Sequence, residues 1–271
     1  MQTESGWTDR FSRAERAGFC AFAGSLLLVL SAPGYAAWPL ALFLLLCMAA
    51  PFFPCSGFFL PVICRGGPGS TGVALTFDDG PYPESTPFIL DLLARHNLQA
   101  TFFIVGRQAQ RHPHLVERIV AEGHGVGNHS LRHDMLLMFR LPDRLEADIS
   151  ATRAVLRKLG ADTNLFRPPA GIIGPRLGAV AGRGGLQVVN YNRRALDGGN
   201  RWVDGLARKI TKSLRSGDII MLHDLPPRGG EQAMQCWRKE LEQLCLQLEQ
   251  EFCVCPLEHF PGFQVHSPAR E

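Results

Sequence analysis

Charged side chains are absent from residues 17–64, the whole interval between Arg16 and Arg65. Such a gap excludes an ordinary water-facing surface for this part of the chain, because folded domains keep their charged residues at the surface. The gap contains SLLLVL (25–30) and LALFLLLCMAA (40–50). One helix of that length would run about 70 Å, against roughly 30 Å of hydrocarbon in a bilayer. The apolar stretch therefore predicts two spans, at 17–32 and 36–53, turning near residues 31–35. Pro51 and Pro54 end the second, because proline lacks the amide hydrogen a helix needs. A cleaved signal peptide is the alternative, with Arg10, Arg13 and Arg16 as its basic flank. The apolar stretch runs far past the length such a peptide needs.

Basic runs are also lacking. Lys and Arg number 28 against 25 Asp and Glu, a net +3, and they are scattered. That excludes the basic face of a nucleic-acid binder. The eight cysteines lack the dense spacing of a small secreted disulfide scaffold. Cys253-x-Cys255 has no second pair to complete a metal site and reads as two buried strand cysteines. Reduced thiols agree with a cytoplasmic domain. The basic flanks, Arg10, Arg13, Arg16 and Arg65, predict a hairpin with both ends in the cytoplasm of a bacterial-type inner membrane. A single crossing would put the remaining domain outside. The predicted organisation is a tail (1–16), a membrane segment (17–63), a Gly-rich linker (64–72) and one domain (73–271).

Within that domain, short apolar runs alternate with amphipathic ones. Strands are predicted at 73–77, 100–106, 126–129, 164–168, 186–192, 218–223 and 252–257. Helices are predicted at 85–96, 114–123, 142–160, 202–217 and 231–250. There is no internal repeat. Alternation of this kind predicts an α/β fold with about seven parallel strands, as a barrel or a large open sheet. The stripe of Trp237, Leu241, Leu244 and Leu248 predicts a helix packed on that sheet.

Residues able to do chemistry fall at the carboxyl ends of four predicted strands, where α/β folds gather their sites. TFDDGP (76–81) places Asp78 and Asp79 side by side. Two adjacent anions repel unless a cation or donor divides their roles, so one suits a metal and the other a base. His129 and His133 in GNHSLRH share one face if that segment makes a helical turn. With one carboxylate they make a three-ligand site with room for water and substrate. Arg167 in FRPPAG could pair with a buried carboxylate. His223, closing IIMLHD, could serve as a general acid near neutral pH.

TFDDGP, HSLRH, RPPAG, Asp197 and LHD, in this order, resemble the polysaccharide deacetylase family, carbohydrate esterase family four. The resemblance covers residues 73–224 and extends to about 258. It implies a distorted (β/α) barrel and a metal-dependent hydrolase that removes an N-acyl group from an amino sugar. It implies Asp78 as base, with Asp79, His129 and His133 as metal ligands. Arg167 would orient the base, His223 would be the acid, and Asp197 would support His223. The main-chain N–H of Ala170 would donate to the oxyanion, and Ser130 and Leu136 flank the histidine motif. Zinc suits this ligand set, and cobalt, nickel and manganese accept it too.

Departures from the family pattern bear on substrate. The family usually has an aromatic residue where Ala170 stands. Around Asp197 this chain reads NYNRRALDGGN (190–200). Tyr191 stands in for an aromatic there, and Arg193 and Arg194 predict contact with an anionic group such as the phosphate of a lipid-linked sugar. A domain tied to the cytoplasmic leaflet reaches sugars on polyprenyl phosphate. One on the other side reaches peptidoglycan or another polysaccharide. A non-catalytic sugar-binding module is the alternative from a different class.

Overall fold

The computed structural model describes residues 11–260 of the 271. Arg10, most of the expected N-terminal tail and residues 261–271 lie outside that range. The chain opens with two antiparallel apolar helices, α1 (Arg13–Ser31) and α2 (Trp38–Ala49). Ser12 starts α1 with a reciprocal capping box, its hydroxyl accepting from the Glu15 N–H while the Glu15 carboxylate accepts from the Ser12 N–H. The expected turn lies at Pro33–Tyr35, and a second short turn holding Pro51 follows α2. The pair returns to its starting side, where the Ala14 N–H donates to the Phe58 carbonyl. In α1 only Ala21 and Ser25 are buried, and in α2 none.

The remaining chain forms one curled, all-parallel sheet of seven strands with helices packed around it. In chain order the elements are β1 (Ala74–Asp78), α3 (Thr86–Arg95), β2 (Thr101–Ile104), α4 (Gly106–Arg111), α5 (Pro113–Ala121) and β3 (Gly125–Asn128). Then follow α6 (Pro142–Lys158), β4 (Leu165–Phe166), α7 (Pro175–Gly184), β5 (Gln187–Val188), β6 (Arg193–Arg194), α8 (Leu206–Thr211), β7 (Ile219–His223) and α9 (Gly230–Glu251). The strand order is β5-β4-β3-β2-β1-β7-β6, an open barrel. Strands β1, β2 and β3 are buried throughout, which is why they read as continuous apolar runs. Phe77 and Phe102 stack at 5.3 Å in the core, and α9 buries Trp237, Leu241, Leu244 and Leu248 as its stripe requires.

Five details correct the sequence expectations. The predicted strand at 252–257 contributes only a single bridge, Val73 to Val254, and the seventh strand is β6 instead. Cys253 is exposed and outside any strand. Helices α4 and α7 were not foreseen, because Gly, Gln and Arg dilute their apolar pattern. The packed domain also begins before the expected linker. Ile63 bonds to Val188 and Asn190 at one barrel edge, and Arg65 bridges Asp218 across the gap. Cys55 and Cys64 are joined by a disulfide, so the expectation of reduced thiols fails for this pair.

Candidate active site

The sheet register puts the acidic and basic groups together. β1 and β7 are parallel neighbours, with Asp78 opposite His223 at their carboxyl ends. β3 and β4 are neighbours too, and His129 and Arg167 each follow the last paired residue of their strand. The four groups therefore meet at one mouth of the barrel, in a cleft of about 1260 Å³ whose walls include Asp78, Asp79, His129, His133, Ala170, Tyr191, Asp197 and His223.

Asp78 is buried, and its Oδ1 accepts from the Arg167 Nη1 at 2.6 Å. Arg167 has no exposed surface. Its guanidinium also donates to Thr76 Oγ1 at 2.7 Å and to the Asn190 carbonyl at 3.2 Å, and it lies 3.9 Å over the Phe103 ring. A cation this deep requires its carboxylate partner, because an unpaired buried charge is strongly destabilising. Thr76 was not foreseen as part of this arrangement. Its place one turn of the pleat before Asp78, on the same face, is the signal that could have found it.

Asp79 sits in the left-handed region at φ 78°, which swings its side chain away from Asp78. Its Oδ1 faces His133 Nε2 at 3.0 Å and His129 Nε2 at 3.3 Å. The two imidazoles converge without the helical turn on which their i, i+4 spacing would have placed them. They lie on an irregular turn after β3, with Ser130 and His133 at positive φ and ring centres 5.0 Å apart. Ser130 builds that turn, its hydroxyl accepting from the His133 N–H. Leu136 lies further on, exposed. His129 Nδ1 donates to the Arg167 carbonyl at 2.8 Å. That bond leaves the Nε2 lone pair aimed at a carboxylate oxygen. Lone pairs opposed in this way repel unless a cation stands among them. The three donor atoms lie within 4.8 Å of one another, and their types suit a divalent ion of the zinc class.

On the opposite wall, His223 Nδ1 meets Asp197 Oδ2 at 3.0 Å. Burial disfavours the imidazolium, but the hydrogen bond and charge of Asp197, with weaker help from Asp79 and Asp78, outweigh it and raise the His223 pKa. Burial likewise pushes Asp197 up, and its bond to His223 more than reverses this. Asn200 fixes the loop by donating to the His223 and Leu225 carbonyls. Ala170 stands at the cleft edge in a left-handed conformation, φ 56°, held between Pro169 and Gly171.

Of the residues expected to touch substrate, Tyr191 and Arg194 line the cleft and Arg193 does not. Successive residues of a strand face opposite sides, so β6 can send only one arginine inward. Arg193 instead pairs with Asp218 at 2.6 Å and donates to Ser213. Asp224 was not assigned a role from the sequence. It is fully buried and accepts from the Ser85 and Thr86 hydroxyls, each at 2.6 Å. A Cβ on Gly80 would collide with its Oδ2, so the glycine after Asp79 lets the loop close over this carboxylate. Burial pushes the Asp224 carboxyl up to about 7.

A curled parallel sheet thus carries at its mouth two carboxylates and two histidines, a donor set that suits a divalent ion, opposite a His–Asp pair. The family model for polysaccharide deacetylase matches residues 65–189. A peptidoglycan-N-acetylglucosamine deacetylase of Bacillus cereus is 38% identical over 154 residues, covering 56% of this chain and 72% of that protein. A chitooligosaccharide deacetylase of Sinorhizobium fredii is 36% identical over 171 residues, covering 62% and 80%. Among solved structures, a peptidoglycan N-acetylglucosamine deacetylase superposes with a TM-score of 0.68 at 30% identity, covering 75% of this chain and 94% of that one. This chain belongs to the polysaccharide deacetylase family. It is a hydrolase acting on carbon–nitrogen bonds other than peptide bonds, of a metal-dependent family.

Proposed function

We propose that this chain removes the N-acetyl group from an amino sugar of peptidoglycan or a related polysaccharide, at the surface of the membrane that holds its hairpin. The observation that carries the reading is the convergence of Asp79, His129 and His133 beside the Arg167-held Asp78. Bound among Asp79, His129 and His133, a divalent ion supplies Lewis acidity, which acidifies water and polarises an amide carbonyl. Asp78 is the base that takes the proton from the attacking water, and Arg167 keeps its carboxylate oriented for it. The Ala170 N–H donates to the oxygen of the amide as charge develops there. His223, held by Asp197, gives its proton to the departing sugar nitrogen. Acetate and a free amine result. Formyl in place of acetyl would be handled by the same groups.

The test is the full chain in detergent with a divalent ion and N-acetylglucosamine oligomers. Acetate and free amine should appear in equal amounts. A wild-type chain that releases neither from the oligomers, from peptidoglycan fragments or from lipid-linked amino sugars contradicts the reading.

Two features bear on the side of the membrane. The Cys55–Cys64 bridge at the start of the domain belongs in an oxidising compartment, and the chain is similar to deacetylases named for peptidoglycan. On this reading the division of the chain is a membrane hairpin, the disulfide-clipped join and an extracytoplasmic catalytic domain. One observation favours a second reading. Arg13 and Arg16 lie on the side of the hairpin that faces the domain, which by the positive-inside rule is cytoplasmic. A cytoplasmic domain would act on sugars carried by polyprenyl phosphate. A paired reporter fused after Glu271, one half active inside and the other outside, separates the two.

A further inference from the structure

Six arginines line the cleft around the candidate site: Arg107 and Arg111 from α4, Arg132 from the histidine turn, Arg194 from β6, Arg201 from the loop after it, and Arg228 beyond β7. All six are exposed. The cleft lining holds no lysine or glutamate, and its carboxylates are Asp78, Asp79 and Asp197. Each of those three is already engaged, by Arg167, by the two histidines and by His223. Among the described residues none of the six arginines forms an ion pair, and only Arg132 lies near enough to a carboxylate, Asp148, to feel its charge, whereas Arg95, Arg140 and Arg183, also exposed, are each ion-paired. Arg111 and Arg194 reach only neutral groups, Gln108 and the Tyr191 hydroxyl. Taking the cleft's six arginines and three aspartates from the chain's 28 basic and 25 acidic residues leaves equal numbers of each sign. The cleft lining therefore carries an excess of positive charge.

We infer that the cleft selects an anionic substrate, an amino sugar carrying carboxylate or phosphate close to the acylated nitrogen. The inference rests on the N-deacetylase reading of the same site. A neutral oligosaccharide offers these guanidinium groups only uncharged acceptors, whereas an anion makes the hydrogen bonds charge-assisted and relieves the mutual repulsion of the rim. Guanidinium forks match carboxylate and phosphate oxygens in pairs. Placed around a concave site, like charges also raise the local concentration of an oppositely charged substrate, an effect that salt weakens. The six come from five different segments around the mouth, so the charge surrounds the reacting position. An anion on either side of the amide would find a partner.

The test uses the metal-loaded full chain in detergent and three substrates: a neutral N-acetylglucosamine oligomer, an oligosaccharide bearing lactyl carboxylates, and an N-acylated amino sugar on polyprenyl phosphate. At about 0.05 M salt, kcat/KM for at least one anionic substrate should exceed that of the neutral oligomer by about tenfold or more, and the advantage should shrink at about 0.5 M. Which anionic substrate gains identifies carboxylate or phosphate as the source. Arg107→Gln with Arg111→Gln, and Arg201→Gln with Arg228→Gln, should lower the anionic-to-neutral ratio mainly through KM. A neutral oligomer turned over as well as the anionic ones, with no response to salt or to these variants, overturns the inference and leaves the deacetylase reading intact. If no substrate is turned over, binding of the two anionic compounds to the wild-type chain decides by calorimetry. Salt-sensitive binding lost in the arginine variants supports the rim, and its absence overturns it.

Discussion

The two walls of the cleft solve opposite electrostatic problems. On one wall Asp79, His129 and His133 bring a carboxylate and two imidazoles together, their donor atoms within 4.8 Å of one another. On the other, His223 and Asp197 form a pair that already holds a proton between them. On the proposed reading the first wall takes up a divalent cation, while the second is complete as the chain folds. Asp78 stands where they meet, opposite His223 in the sheet register and tied to Arg167 from behind. The difference teaches that adjacency in sequence is a poor guide to role. Asp78 and Asp79 are neighbours in the chain, yet the positive φ at Asp79 sends one carboxylate to a buried arginine and the other to two imidazoles.

Substitutions should break the two walls in different ways. Asp79→Ala should have the largest effect, abolishing both stoichiometric zinc binding, measured by calorimetry, and acetate release. Asp78→Asn should lower kcat by about 10²- to 10⁴-fold, the range for loss of a general base, with zinc affinity retained. Equal loss of zinc in the two variants would erase the division of labour.

The proton-handling wall should respond to pH. Asp197 raises the His223 pKa, so the acid stays protonated to higher pH and kcat/KM falls as pH rises through that raised value. Asp197→Asn removes the support. It should shift this alkaline fall to lower pH and cost about tenfold to hundredfold in kcat, less than loss of the base. An unmoved alkaline limb would mean that another group sets it.

The smallest effect belongs behind the site. Asp224 is raised by burial to about 7 from an unfolded value of 3.8. The folded state therefore holds its proton more tightly, and stability should decline as pH rises from about 4 to about 7. Asp224→Asn should flatten that decline in Tm and cost about 1–3 kcal/mol overall, through mismatched bonds to Ser85 and Thr86. Turnover should change by only a few-fold.

The contrast between the walls was partly legible in the sequence. The strand-end positions of Asp78, His129, Arg167 and His223 followed from the alternation of apolar runs, because parallel sheets gather chemistry at one end. The ordered motifs supplied Asp197 and Ala170. Several features were out of reach because they depend on approach across the fold. The Asn190 carbonyl meets Arg167 only when β4 and the segment after β5 close together. Arg193 and Arg194 look alike in sequence, and only the pairing of β6 with β7 decides which faces inward. The arginine rim comes from segments spread between residues 107 and 228, so no local pattern announces it. The strand expected at 252–257 had the right composition, and failed because Val254 finds one bridge to Val73 and no further ladder.

The most direct test of the central claim is metal dependence of the chemistry itself. The purified full chain would be stripped with a chelator, its metal content measured, and acetate release from an N-acetylated glycan followed as zinc is titrated back. The account predicts no release from the stripped chain and recovery that saturates at one ion per chain, with Asp79→Ala taking up none. Undiminished release from a chain verified to be metal-free would contradict it.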